Sequence, residues 1–290
     1  MEIKSLEGVP FNLIYNAFSS AFEEYEVQLN KGQLLKMLKR RGFDPGLSFA
    51  VFDNQKIVSF ILNGIGHYKG AATAYDTGTG TLKEYRGRGL ATELFNYSTP
   101  FLRQHNIHQY LLEVIQSNTS AVSVYKSLGF KITREFNYYI REKSKLIRVE
   151  NGTGKFHVIR PDRLHQLINP SLFWDFYPSW QNGFEAIERD PESFEIIGIY
   201  DGHTLTGYSV YEPESGDITQ IAVKKNFRRR KIATRLLNIA VSNSLSDNVK
   251  IINCLLYTSD AADDLLCVDL GGRRILKQKK NKKKKQTHHI

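Results

Sequence analysis

The sequence predicts an α/β protein made of two tandem copies of one unit, the second incomplete. Three observations predict it. One order of elements occurs twice along the 290 residues, at a period too long for a solenoid and suited to duplicated domains. Each copy carries two adjacent β-rich runs joined by a polar turn. Each then runs from a strand through a short turn into a helix with apolar residues at helical spacing.

In the first copy, Glu2–Leu6 reads as a short strand. Helices are predicted over Phe11–Phe22 and Lys31–Arg41, the second with Leu34, Leu35 and Leu38 on one face. Leu47–Phe52 and Ile57–Asn63 flank Asp53-Asn54-Gln55, which predicts a hairpin. Thr77–Leu82 is a strand leading into a Gly-rich turn and a helix over Gly89–Arg103. Gln109–Ile115 is a strand and Thr119–Leu128 a helix, and a final pair of strands is expected to close the copy near Arg141.

Asn151-Gly152-Thr153-Gly154 reads as a flexible linker, which predicts a first domain over 1–150 and a linker over 151–155. The order then restarts. Phe156–Arg160 is a strand, and Phe194–Tyr200 and Thr204–Tyr211 form a hairpin around Asp201-Gly202. Ile218–Val223 runs into a basic turn and a helix over Ile232–Ser242. Another strand begins at Lys250 and is cut off at Asn253, so the second copy, 156–253, is expected to be truncated.

The stretch 254–290 is set apart. Cys254 to Asp264, CLLYTSDAADD, resembles a direct translation of a sequencing-adapter read-through. Cys267 to Ile275, CVDLGGRRI, resembles a translated index-primer adapter, and the closing Lys-rich run resembles poly-A read as AAA codons. Such scars are excluded from fold reasoning, and this stretch is expected to be disordered.

Setting it aside corrects the charge. Removing its nine basic and four acidic residues takes the totals from 40 and 30 to 31 and 26, so the net charge falls from +10 to +5. Nucleic-acid binding needs a larger basic face, and Lys39-Arg40-Arg41 and Arg228-Arg229-Arg230-Lys231 read as solvated surface. A content of 41% apolar and 24% charged residues excludes disorder of the whole chain. No apolar run reaches the length of a membrane span, and the N-terminus lacks the features of a signal peptide. The expectation is a cytoplasmic protein with neither nucleic-acid nor membrane partner. Both cysteines fall in the excluded stretch, so no disulfide framework or metal site is expected.

The chemistry begins at Arg86, where RGRGLA stands between a strand and a helix. Glycines let the backbone approach an anion closely, and the free N–H groups of a helix start point toward it. Arg86-Gly87-Arg88-Gly89-Leu90-Ala91 resembles the Arg/Gln-x-x-Gly-x-Gly/Ala turn of the GNAT N-acetyltransferases. Leu112 to Phe130, LEVIQSNTSAVSVYKSLGF, resembles a second GNAT motif, with Asn118, Ala121, Tyr125, Gly129 and Phe130 at the family spacing. The motifs stand in the family's order, and the resemblance covers residues 1 to about 141.

That resemblance implies a mixed, mostly antiparallel sheet flanked by helices, with acetyl-CoA as co-substrate and no metal. It implies that the backbone near Thr81 and Leu82 bonds the pantetheine arm, and that the turn from Arg86 through Gly87, Arg88, Gly89 and Leu90 to Ala91 holds the pyrophosphate. Asn118 would steady a pantetheine amide, and Tyr125 would protonate the departing thiolate. An alkyl amine has a pKa of about 10.4 and must lose a proton to attack, so a base is required. The motif is most similar to that of the ribosomal-protein alanine acetyltransferases, which implies Glu113 as base. Asn137-Tyr138-Tyr139 is also similar to that group, whereas Lys83 replaces the proline common after the third strand. Asp76, just before the turn, is the rival base. By periodicity alone Tyr125 is a core residue, Glu113 and Tyr138 and Tyr139 are alternating strand residues, and Arg86 and Arg88 are solvated.

In the second copy, Arg228-Arg229-Arg230-Lys231-Ile232-Ala233 occupies the corresponding turn, and Lys231 stands where the family has Gly. This half is expected to be degenerate, serving structure or substrate shaping. The first is expected to move acetyl directly to a primary amine of a small molecule or peptide. The alternative is a non-catalytic acyl-CoA-binding regulator, which Tyr125→Phe separates from an enzyme.

Overall fold

The computed structural model describes residues 1–25, 28–146, 155–160, 163–255 and 273–280. The linker reading at Asn151–Gly154 lies outside the described residues. The chain forms two compact units, one holding Met1–Arg134 and the other beginning at Glu135.

The first unit is built on β1 (Glu2–Ser5), β2 (Phe49–Asp53), β3 (Lys56–Tyr68), β4 (Ala71–Thr81) and β5 (Gln109–Ile115), neighbours in that order. The first four pair antiparallel; β4 and β5 run parallel. Parallel neighbours need a crossover, supplied here by α3 (Leu90–Gln104). The remaining helices are α1 (Phe11–Ala21), α2 (Lys31–Arg41) and α4 (Thr119–Ser127).

Phe60 packs on Phe18 and Phe22 of the α1 side, at ring centroids 6.1 and 6.3 Å apart. Ile61, its neighbour in β3, pairs with Phe49, and Phe49 meets Tyr97 and Phe101 of α3 at 5.4 and 5.0 Å. Strand side chains alternate, so α1 and α3 cover opposite faces of the sheet. The bounds of α2 follow from its ends. Asn30 accepts from Gln33 N at 2.9 Å while Gln33 Oε1 accepts from Asn30 N at 2.9 Å, and Gly42 closes the helix at φ 76°.

After α4 the structure has one strand, β6 (Phe130–Glu142), where two were expected. No Gly or Pro interrupts the run, and it pairs over Phe136–Glu142 with β11 (Asn248–Leu255) in the second unit. That sheet continues β11, β10 (Asp217–Val223), β9 (Thr204–Glu212), β8 (Glu195–Asp201) and β7 (Lys155–Val158); β10 and β11 run parallel, and the pairs β6–β11, β9–β10, β8–β9 and β7–β8 antiparallel. Between β7 and β8 lie three short helices, α5 (Leu164–Leu167), α6 (Pro170–Phe173) and α7 (Phe184–Arg189), and α8 (Ile232–Asn243) joins β10 to β11. Both sheets are thus mixed, mostly antiparallel and flanked by helices. A further strand, β12 (Arg273–Lys280), lies in the stretch expected to be disordered. Pairing uses backbone groups that every residue but proline carries, so a Lys-rich run is not barred from it. No helix among the described residues is long and apolar enough to cross a membrane.

Candidate active site

β4 and β5 pair from Thr73↔Gln109 to Tyr75↔Leu111 and then part. β4 continues to Thr81 and β5 to Ile115, so from Asp76 onward the facing edge of β4 carries backbone groups with no ladder partner. A bulge opens the gap: Asn63 faces Asp76 and Leu62 faces Gly78, leaving Thr77 as the extra residue. The Thr77 hydroxyl donates to Leu62 O at 2.9 Å, and its carbonyl accepts from Arg41 Nη1 at 3.0 Å.

On one face of this splay sits Asp76, only 8% exposed. Its Oδ2 accepts from the Tyr125 hydroxyl and from Thr79 Oγ1, each at 2.8 Å, while its buried Oδ1 has no hydrogen-bond partner. Burial pushes the Asp76 carboxyl up, and Thr79, Tyr125 and the Gly78 N–H pull it partly back. Burial and the Asp76 charge hold the Tyr125 phenol well above its ordinary value, so it keeps its proton at neutral pH. The Tyr125 ring is set edge-on to Phe130 at 5.5 Å, and Phe130 in turn meets Phe95 and Tyr110.

Glu113 belongs to the other face. Tyr110 packs with Phe95 of α3, and three residues along an alternating strand the side chain points away from α3. There burial and the Glu113 carboxylate push the Tyr75 phenol well above its ordinary value, and the Arg41 guanidinium stands 5.9 Å from the centre of the Tyr75 ring. A hydroxyl and a carboxylate, 12 residues apart in sequence, therefore flank the gap from opposite sides.

At the end of the gap the turn holds Gly87 and Gly89 at φ 77° and 76°. Gly89 starts α3 with no side-chain cap, and Glu93 N bonds its carbonyl at 3.0 Å, so the N–H groups of the first turn have no acceptor inside the helix. A Cβ placed at Gly87 or Gly89 would meet no heavy atom within 4 Å. Open space above free N–H groups fits a diphosphate.

The other expected site residues have partners within the chain. Arg86 donates to Thr81 O at 3.2 Å and Ala21 O at 3.0 Å, and pairs with Glu24 at 2.9 Å. Lys83 also pairs with Glu24, at 2.8 Å, and the two cations hold the Glu24 carboxyl down at about 2. Arg88 donates to Glu84 O at 2.8 Å and lies over the Tyr85 ring. Asn118 caps α4 by accepting from Ala121 N at 3.1 Å and donates its amide to the Tyr25 hydroxyl at 2.9 Å. Leu82 and Leu90 are buried, and Leu82 N donates to Val58 O at 2.9 Å. Glu24 and Tyr25 thus close the loop after α1 onto both sides of the gap. No sequence motif marks them, nor Thr79 or Tyr75. Among the described residues no cluster of metal-binding side chains occurs.

The sequence model of the acetyltransferase (GNAT) family matches residues 11–130 and 162–262. The chain belongs to the GNAT acetyltransferase family. It is a tandem GNAT protein and an N-acetyltransferase, and acetyl-CoA is the family's donor. The chain is 29% identical over 117 residues to N-alpha-acetyltransferase 30 of Schizosaccharomyces pombe, covering 40% of this chain and 71% of that one. It is 31% identical over 97 residues to an N-alpha-acetyltransferase of Arabidopsis thaliana, covering 33% of this chain and about half (51%) of that one. In fold the chain is similar to a tandem GNAT protein of the clavulanic acid pathway, with TM-score 0.63, 12% identity and 89% and 92% of the two chains covered. A GCN5-related N-acetyltransferase of Sphaerobacter thermophilus gives TM-score 0.60 at 15% identity, covering 87% and 85%.

Proposed function

We propose that the first copy transfers acetyl from acetyl-CoA to the α-amine of a peptide or protein, with Tyr125 as acid and Glu113 as base. The observation that carries this reading is the Tyr125–Asp76 hydrogen bond of 2.8 Å at the point where β4 leaves β5. The peptide acceptor is supported by the two N-alpha-acetyltransferase relatives.

The turn from Gly87 to Ala91 would hold the pyrophosphate, and the unpaired edge of β4, from Asp76 to Thr81, the pantetheine amides. The thioester then lies in the gap. The neutral amine attacks the carbonyl carbon, the C–S bond breaks, and the sulfur leaves with the electron pair. Tyr125 donates its proton to that sulfur and regains one through Asp76, whose raised affinity for a proton suits a relay. Glu113 receives the amine proton from the opposite face, directly or through one water. Asn118 and Tyr25 bond each other across the gap, and the arm's amide would replace Tyr25 as the partner of Asn118.

The test is acetylation of peptides with a free N-terminus against the same peptides with that amine blocked and a lysine present. Transfer to the free N-terminus alone, lost in Tyr125→Phe, is the expected result. Transfer confined to lysine or to small amines overturns the acceptor assignment.

A further inference from the structure

The bulge at Thr77 shapes the gap, and a side chain from outside the sheet holds it. β3 and β4 pair through Asn63↔Asp76 and Leu62↔Gly78, so the ladder passes over Thr77. A carbonyl left out of a ladder needs a donor from elsewhere. That donor is Arg41, the last residue of α2, whose Nη1 stands 3.0 Å from Thr77 O in a part-buried contact. A charged donor makes one of the stronger hydrogen bonds a protein offers.

The local chain brings the helix end to this point. Gly42 turns the backbone at φ 76° directly after Arg41. The chain then runs beside β3: Asp44 N donates to Asn63 O at 2.9 Å, Ile65 N to Gly42 O at 2.8 Å, and Phe43 bridges Gly64. Gly64 is where the approach is tightest. A Cβ there would lie 2.0 Å from Arg41 O and 3.1 Å from Thr77 Cγ2, so the helix end and the bulge together demand a glycine. Gly64 in turn pairs with Tyr75, two residues before Thr77.

The same guanidinium carries its charge toward both walls of the gap. It stands 5.9 Å from the centre of the buried Tyr75 ring. Its charge draws the Tyr75 phenol and the Asp76 carboxyl downward, against the burial that raises both. Arg41 therefore bears on two consecutive residues that face opposite sides of β4. A bulge bends its strand and re-aims the residues next to it. The edge from Asp76 to Thr81 begins at this bend.

We infer that Arg41 is a positioning residue of the first copy: from the Tyr75 face it holds the Thr77 bulge, and so aims the edge of β4 at the amide-bearing arm of the cofactor. This role rests on the assignment of that edge to the pantetheine arm. Arg41 acts through the backbone and needs no contact with the cofactor.

The experiment compares two probes in the full chain by calorimetry. Coenzyme A has the arm, and ADP has the diphosphate and adenosine without it. Gly89→Glu, which disables the first turn, identifies the part of the binding that belongs to the first copy. Wild type should hold coenzyme A more tightly than ADP by the contribution of the arm. Arg41→Met, which keeps the aliphatic stem, and Arg41→Ala should each weaken coenzyme A by about tenfold, the scale of one hydrogen bond from a charged donor, and leave ADP unchanged. Guanidinium ion added to Arg41→Ala should restore the preference for coenzyme A, and sodium chloride at equal concentration should not. Melting profiles certify the fold, and Arg41→Met carries the measurement where Arg41→Ala melts early. A folded Arg41 variant that keeps the wild-type preference, or loses both probes equally, overturns the inference. So does a selective loss that guanidinium fails to repair, which assigns Arg41 to packing. A wild-type chain that binds both probes alike overturns the assignment of the arm to β4, and the role of Arg41 with it.

Discussion

Tyr125 and Asp76 are 49 residues apart in the chain and joined by a 2.8 Å hydrogen bond, and Asp76 is the first β4 residue past the last β5 pair. The bond fixes where the phenol points, and burial first, then the neighbouring carboxylate, keep it protonated.

Tyr125→Phe keeps the ring that packs on Phe130 and removes the proton. Loss of an acid contributes about 10²–10⁴-fold, so kcat should fall by that order while the acetyl-CoA Kd stays within about twofold. Steady-state kinetics beside equilibrium binding check it; equal losses in both would assign Tyr125 to packing.

Asp76→Asn should change how stability depends on pH. The folded carboxyl binds its proton more tightly than the ordinary value of 3.8, so the fold holds more protons than the unfolded chain. Asp76 therefore costs stability as pH rises from 3.8 to its raised value, and the cost is complete above it. The melting temperature of the variant relative to wild type should thus be higher at about pH 7 than at about pH 3. A difference that is flat with pH contradicts this.

Glu113→Gln keeps the size and polarity of the side chain beside Tyr75 and removes the base. A loss of about 10²-fold or more in kcat/KM is expected, with the acidic limb of the pH–rate profile flattened. An unchanged limb would move the base to another group.

Arg86→Ala should act on stability more than on cofactor affinity, since its donors are spent on Thr81, Ala21 and Glu24. Hydrogen bonds from a charged donor are worth about 1.5–3 kcal/mol, less where solvent reaches them, so denaturation should register about 1–2 kcal/mol. A Kd for acetyl-CoA weakened more than tenfold at unchanged stability would return Arg86 to the phosphate.

The two turns predict opposite responses to reciprocal substitutions. Lys231 takes φ 60° where Gly89 takes 76°. Lys231→Gly relieves a left-handed lysine and should stabilise by up to about 1 kcal/mol after the entropy of glycine is subtracted. Gly89→Lys should destabilise by about 1–2 kcal/mol. Chemical denaturation of both variants measures the pair.

How far the sequence discloses this depends on whether the cause is local. Helix α2 and strand β5 appear at their expected bounds because caps and apolar runs act over a few residues. The Gly-rich turn is legible for the same reason. The partnership of Asp76 with Tyr125, and of Tyr75 with Glu113, joins separate elements and has no local signature. Lys231 breaks the family pattern in sequence, yet its backbone holds to it; a dihedral angle is not written in a residue type. The single strand β6 was expected as two because nothing local announces that a strand will run on to meet a partner over a hundred residues ahead.

That last strand carries a consequence for heredity. The sequence repeat restarts after residue 150, but the compact units divide between Arg134 and Glu135, inside β6. Severing the gene where the repeat restarts would strand Phe136–Glu142 without the β11 residues that complete its hydrogen bonds. An exposed edge of that kind invites pairing with foreign chains. Neither piece of such a cut would keep the ladder that joins the two stretches of chain, so a break at the seam of the repeat does not yield a finished part.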